Sequence, residues 1–125
     1  MLQALFLFIF LEGIPMIKIS GNTIRMTKGD TLEVPVVIMT KHGDVYIPSE
    51  GDEIRFAMKA EYNDPEPLIR KIIPNDTLIL RLESSETKNL EVRKVPYVYD
   101  IQLTTVTGTV DTFLSGGLYL TEEVD

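Results

Sequence analysis

An alternation of apolar and polar residues, beginning at Met16, is the feature that most constrains the fold of this chain. Apolar side chains fall at every second position in short runs, as at Ile54, Phe56 and Met58. This is the period of a β-strand that buries one face. The runs cover residues 17–19, 23–27, 32–38, 53–59, 68–73, 78–83, 97–104, 109–114 and 118–121. The sequence therefore predicts strands along nearly all of this region.

Turn-forming residues separate the runs at regular intervals. Glycine supplies a positive φ, and Asn or Asp bonds to the nearby backbone, so each such pair predicts a turn. The pairs include Gly21-Asn22, Gly29-Asp30, Gly43-Asp44, Gly51-Asp52, Asn75-Asp76 and Gly116-Gly117. Many short strands with this punctuation predict an all-β fold, a single antiparallel β-sandwich (immunoglobulin-like or Greek-key) of about 7–9 strands.

Two local features refine this prediction. Residues 84–90 are the one helical candidate, a single turn that Ser84 or Ser85 could cap. Pro35 interrupts an otherwise strong strand, and a proline removes a backbone donor from the ladder. We therefore expect Pro35 at a sheet edge or at a bulge.

The first fifteen residues, MLQALFLFIFLEGIP, do not share the alternation. The run is shorter than the roughly 20 apolar residues of a spanning helix, and it lacks the basic region and cleavage site of a signal peptide. Leu11-Glu12-Gly13 can be encoded by codons that contain a bacterial ribosome-binding sequence, which favours Met16 as the natural start. We predict that residues 1–15 lie outside the core fold and that residues 16–125 form the sandwich domain. A genuine leader or anchor, or a structural segment, are the alternatives.

Composition limits the chemistry that the chain can perform. It contains no cysteine and a single histidine, His42, which excludes disulfides and thiolate sites and leaves little for a histidine-based one. Its net charge of −7 would repel nucleic acid and anionic membranes. We predict no catalytic, cofactor-binding or metal-binding residues, and hence a protein that is not an enzyme.

Acidic groups are the first candidates for a site. The Gly-Asp pairs at residues 29–30, 43–44 and 51–52 could hold calcium, or form an adhesion tripeptide with Lys28, but single carboxylates in turns favour loop corners. Asp64, Glu66 and nearby Glu61 form the densest acidic group, which prolines make a stiff, solvated loop rather than a metal site. No feature singles out a carboxylate pair for glycoside hydrolysis.

Tyrosines are the second candidates. Tyr97, Tyr99 and Tyr119 could form a platform on which a sugar ring stacks. Tyr97 and Tyr99, however, share a strand face with Ile101 and Leu103, which favours packing in the core.

Three stretches carry a resemblance to a known family. They are MIKISGNTIRMTKGDTLEVPVVI from Met16, GDEIRFAMKA from Gly51 and VPYVYDIQLTTVTG from Val95. Together they resemble small proteins of phages and prophages of Gram-positive bacteria, and the N-terminal domain of the siphophage baseplate upper protein. The resemblance covers Met16 to about Val124.

The resemblance implies a virion structural protein, a β-sandwich adapter of the tail tip or baseplate that is made in the bacterial cytoplasm. Its expected partners are other tail or baseplate proteins and further copies of itself, with no nucleic acid and no membrane. Two alternatives stay open: a carbohydrate-binding sandwich at a host surface, and a secreted or anchored surface protein if residues 1–15 are a leader.

Overall fold

The computed structural model describes residues 2–6, 18–20, 23–40 and 45–122, with side chains for residues 23–38, 45–111 and 114–122. The elements along the chain are β1 (Leu2–Phe6), β2 (Lys18–Ser20), β3 (Thr23–Thr27), β4 (Leu32–Thr40), β5 (Glu53–Lys59), β6 (Ile69–Ile73), β7 (Ile79–Leu82), α1 (Ser84–Thr87), β8 (Tyr97–Thr104) and β9 (Val110–Thr121).

The strands form two sheets that share one core. The larger sheet has six strands in the order β2-β3-β9-β8-β5-β6, and the smaller has three in the order β1-β4-β7. The chain crosses between the sheets from β1 to β2, from β3 to β4, from β4 to β5, from β6 to β7 and from β7 to β8. The predicted all-β sandwich is therefore confirmed.

One pairing departs from the predicted antiparallel arrangement. β3 and β9 run parallel, with Ile24 opposite Leu118 and Thr27 opposite Thr121. A parallel pair requires a long connection between its strands, and here the chain passes through both sheets between β3 and β9. Alternation in the sequence fixes which face of a strand is buried, but not the direction of the neighbouring strand.

The core lies between the sheets and is built from the predicted alternating positions. Ile54, Phe56 and Met58 of β5 are fully buried, and so are Leu32 and Ile38 of β4 in the opposite sheet. They belong to one hydrophobic cluster, with contributions from β3 to β9. Burial of such side chains contributes about 1.5–3 kcal/mol each to folding.

The helix near residues 84–90 is present as α1, but its predicted cap is wrong. Glu83, not Ser84 or Ser85, is the N-cap residue. Its backbone N–H donates to the carboxylate of Glu86 at 2.8 Å, which is half of a capping box. The hydroxyl of Ser84 instead donates to the carbonyl of Gly29. This tertiary hydrogen bond uses the side chain that was expected to cap the helix.

Pro35 lies in β4, the central strand of the smaller sheet, rather than at a sheet edge. The two neighbours of β4 cover different parts of it. β7 pairs with Leu32 to Pro35, whereas β1 pairs with Val36 to Thr40. Pro35 is therefore the first residue beyond the β1 ladder, and its missing N–H removes no hydrogen bond from that pairing.

The first fifteen residues are described only at β1, whose backbone pairs with β4 from Leu2 opposite Thr40 to Phe6 opposite Val36. Residues 7–15 lie outside the described part of the chain, as do the side chains of β1. The prediction that residues 1–15 lie outside the core fold, and that Met16 is the natural start, stays a prediction.

Candidate functional site

Three loops meet at one end of the sandwich, which we call the loop end. They join β4 to β5 (described from residue 45), β6 to β7 (residues 74–78) and β8 to β9 (residues 105–109). Strand register places them together: Glu53, which starts β5, lies opposite Thr104, which ends β8, and Ile54 lies opposite Ile73. The loops between β3 and β4, β5 and β6, and β7 and β8 lie at the opposite end.

The carboxylate of Asp52 fastens two of these loops. It accepts the hydroxyl of Tyr46 at 2.6 Å, the backbone N–H of Ser49 at 3.0 Å and the backbone N–H of Val106 at 3.3 Å. The Tyr46 hydroxyl, followed by the Ser49 N–H, lowers the pKa of Asp52. The same hydrogen bond, with burial and the Asp52 charge, raises the pKa of Tyr46. The predicted Gly51-Asp52 corner is thus an internal clamp.

The third loop joins through Asn75. Its side-chain amide donates to the carbonyl of Asp52 at 2.8 Å and, at 3.3 Å, to that of Ser49. Loops that are tied to each other in this way present their tips in a fixed arrangement, which lowers the entropy cost of binding.

Four exposed aliphatic side chains stand at the loop end. Their exposed fractions are 59% for Val45, 77% for Ile47, 69% for Val106 and 57% for Val110. Val45 and Ile47 belong to the β4–β5 loop, whereas Val106 and Val110 belong to the β8–β9 hairpin. Exposed apolar side chains that share one region of a surface can mark an interaction site, and these four at the loop end are the candidate site.

The other predicted acidic corners do not join this site. Asp30 follows β3 at the opposite end, where its backbone N–H donates to the carbonyl of Thr27 in a turn. The neighbouring Gly29 donates its N–H to the hydroxyl of Thr87 at 3.0 Å. Gly43-Asp44 and His42 lie outside the described residues. Within the described part of the chain, no three His, Cys, Asp or Glu residues are grouped so that they could hold a metal ion.

The acidic group near residue 64 forms a turn at the opposite end. The carboxylate of Asp64 accepts the backbone N–H of Glu61 at 3.0 Å, and the N–H of Asp64 donates to the Glu61 carbonyl at 3.1 Å. Glu61 also lies 3.7 Å from the guanidinium of Arg93. These contacts fit the predicted stiff loop.

Tyr97 and Tyr99 pack in the core as predicted. Tyr97 is 4% exposed and Tyr99 is 2% exposed, and Tyr99 stacks on Phe56 with ring centroids 5.5 Å apart. Tyr119 carries the guanidinium of Arg25 over its ring at 4.1 Å. The sugar-stacking interpretation has therefore lost its main support, because two of its three rings are not accessible.

A shallow depression on the outer face of the larger sheet offers little room for a ligand. Its volume is about 90 Å³, and Ala57, Lys59, Tyr62, Val98 and Asp100 line it together with Tyr99. Small-molecule sites usually measure about 300–1,000 Å³.

Among the described residues, no helix is both long and apolar enough to cross a bilayer.

Sequence reasoning missed the aliphatic group at the loop end. The available signal was the presence of Val45, Ile47 and Val106 inside segments rich in turn residues, where strand burial does not explain a large apolar side chain.

No protein-family model matches the chain, and no curated protein matches it.

Proposed function

We propose that this protein is a non-enzymatic virion structural protein of a phage or prophage, which acts as an adapter of the tail tip or baseplate through protein–protein contacts. The observation that carries the contact role is the loop end. There Val45, Ile47 and Val106 are exposed on loops held by Asp52, and Val110 is exposed at the start of β9. Rigid scaffolds commonly present binding residues on such loops.

The chemistry of these four side chains favours a protein partner. Aliphatic groups cannot donate a proton, attack an electrophile or hold a cation, but they gain free energy when another apolar surface covers them. Protein interfaces combine an apolar centre with a polar rim. The loop end, with its exposed aliphatic side chains, supplies such an apolar centre.

An open strand edge gives a second surface for assembly. β6 is the last strand of the larger sheet, and Ile72 on this strand is exposed. Unpaired strand edges are available for pairing with another chain. Such a pairing would account for the expected homo-oligomer, and light scattering of the purified chain measures it.

The proposed location in the tail tip or baseplate rests on the resemblance to phage tail and baseplate proteins. The test is to induce particles from the strain that encodes the chain, purify them, and search for the protein by mass spectrometry and gold-labelled antibody. We expect a fixed copy number per particle and labelling at the tail tip. A protein that is present in the lysate but absent from purified particles would contradict the proposal.

A further inference from the structure

We infer that the loop end binds a partner protein whose docking face combines lysine or arginine with aliphatic side chains. The inference rests on the proposed role in protein–protein contacts and adds the partner's surface chemistry. It follows from the charges that surround the exposed aliphatic group.

The loop end is acidic in every described part. Residues 45–53, 74–78 and 104–111 contain five carboxylates and, within these described ranges, no lysine, arginine or histidine. The five are Glu50, Asp52, Glu53, Asp76 and Asp111. Asp52 points inward to the clamp, whereas Glu50, Glu53 and Asp76 are exposed.

Exposed carboxylates and exposed aliphatic side chains therefore share one end of the molecule. When a partner covers the aliphatic group, the polar residues at the edge of its docking face come close to these carboxylates. A basic rim is attracted and an acidic rim is repelled, so charge complementarity selects the partner and speeds its approach. A nucleic acid is also repelled.

Both described ends of this chain carry an excess of carboxylates, which disfavours a second copy as the partner. Two loop ends facing each other would oppose carboxylates with carboxylates. The described loops at the opposite end, residues 28–31, 60–68 and 83–96, contain seven carboxylates and four basic side chains. The charge balance at both ends disfavours a second copy, so we commit to a different protein as the occupant, and self-association through the loop end is an outcome of the test.

The test uses the full chain and three sets of short synthetic peptides of equal length. One set combines Lys and Arg with Leu and Val, the second replaces the basic residues by Glu and Asp, and the third replaces the aliphatic residues by Ser and Gly. Binding is measured by fluorescence polarisation. We expect binding of the first set alone, with affinity falling about tenfold between about 50 and 500 mM NaCl as the charges are screened.

Variants locate the binding. Val106→Ser and Ile47→Ser should each weaken binding about tenfold, because each removes an apolar side chain that the partner would otherwise bury. Glu50→Gln combined with Asp76→Asn should weaken binding and flatten its salt dependence. The matched control is Val95→Ser, which changes the same residue type at the opposite end at a similar exposure of 60% and should bind like the wild type. Circular dichroism verifies that each variant is folded.

Several outcomes would overturn the inference: no selective binding of the basic, aliphatic set, equal loss in Val95→Ser, or a self-association that Val106→Ser abolishes. The search for the protein in purified particles and the peptide-binding assay have independent outcomes. A protein found at the tail tip whose loop end binds none of the sets would keep the proposed function and lose only the partner chemistry.

Discussion

The hydroxyl of Tyr46 donates a hydrogen bond of 2.6 Å to the carboxylate of Asp52, and this partly buried pair holds the candidate site in place. The same carboxylate accepts backbone N–H groups from its own loop and from Val106, 54 residues further along the chain. A carboxylate can accept several hydrogen bonds at once. One acidic side chain therefore fixes the relative position of two loops that carry the exposed aliphatic group.

Replacing Asp52 by Asn should destabilise the fold by about 1–3 kcal/mol at pH 7, because charge-assisted hydrogen bonds are lost and the Tyr46 hydroxyl loses an ionised acceptor. The loss should depend on pH. The folded pKa of Asp52 is lowered, so its contribution is present above the unfolded pKa and disappears as the pH falls through the folded pKa. The gap between wild type and variant should therefore close below about pH 4.

Urea unfolding from pH 7 to about pH 2.5 measures that gap. Asp64→Asn is the control at pH 7, because Asp64 accepts one backbone N–H in an exposed turn that an asparagine also forms. We expect it to change the free energy of unfolding by no more than about 0.5 kcal/mol. A gap for Asp52→Asn that stays constant down to the lowest pH would contradict the clamp.

Tyr97 provides a second test at the opposite end. It starts β8, and its hydroxyl donates to the carbonyl of Glu91 in the preceding loop, a contact similar to the tyrosine corner described in other β-sandwiches. Tyr97→Phe keeps the ring beneath the guanidinium of Arg93 and removes only the hydroxyl. We expect a loss of about 1 kcal/mol in the free energy of unfolding.

The matched control for Tyr97→Phe is Tyr62→Phe, because Tyr62 is exposed and the substitution should be nearly neutral. Thermal unfolding compares the two variants. Equal melting temperatures would mean that the corner hydrogen bond contributes nothing to stability.

Burial of Tyr99 predicts sensitivity to alkali. Burial raises its pKa, because a phenolate in the core would lack solvation. Since the unfolded chain releases this proton first, stability is full below the ordinary phenol pKa of about 10 and decreases as the pH rises above it. Urea unfolding between pH 7 and about pH 11 should show a shallower decline for Tyr99→Phe than for wild type. An unchanged slope would contradict a buried phenol.

The alternation in the sequence predicted the buried faces of the strands from β3 to β8, because a period of two translates directly into inward and outward side chains. The burial of Phe56 and Tyr99 follows from it. The alternation did not predict β1. The predicted Gly116-Gly117 turn is wrong, because both glycines lie within β9, paired with Tyr99 and Val98. The parallel pairing of β3 with β9 could not be read in this way, because its partners lie about 94 residues apart and local patterns carry no information on which strands become neighbours.

The arrangement of the loop end could not be predicted from the sequence either, because the residues that meet there are far apart along the chain. Tyr46, Asn75 and Val106 meet at Asp52 only because two crossings between the sheets and the β8–β9 hairpin bring their loops to one end. The cap of α1 shows a related limit. Serine is a favoured N-cap, but the hydroxyl of Ser84 bonds to Gly29, which is 55 residues distant.

Gly51 and Gly108 form a natural pair for testing how closely the loops pack. Both have a positive φ, +94° and +92°, which strains any residue with a Cβ. A Cβ at Gly51 would lie 3.1 Å from Cγ2 of Val106, whereas a Cβ at Gly108 would meet no heavy atom within 4 Å. Gly108→Ala should therefore cost about 1 kcal/mol for the backbone alone, and Gly51→Ala should cost more. Urea unfolding measures both variants. A Gly51→Ala variant that is no less stable than Gly108→Ala would mean that Val106 moves aside freely and that the loop end is looser than the hydrogen bonds to Asp52 imply.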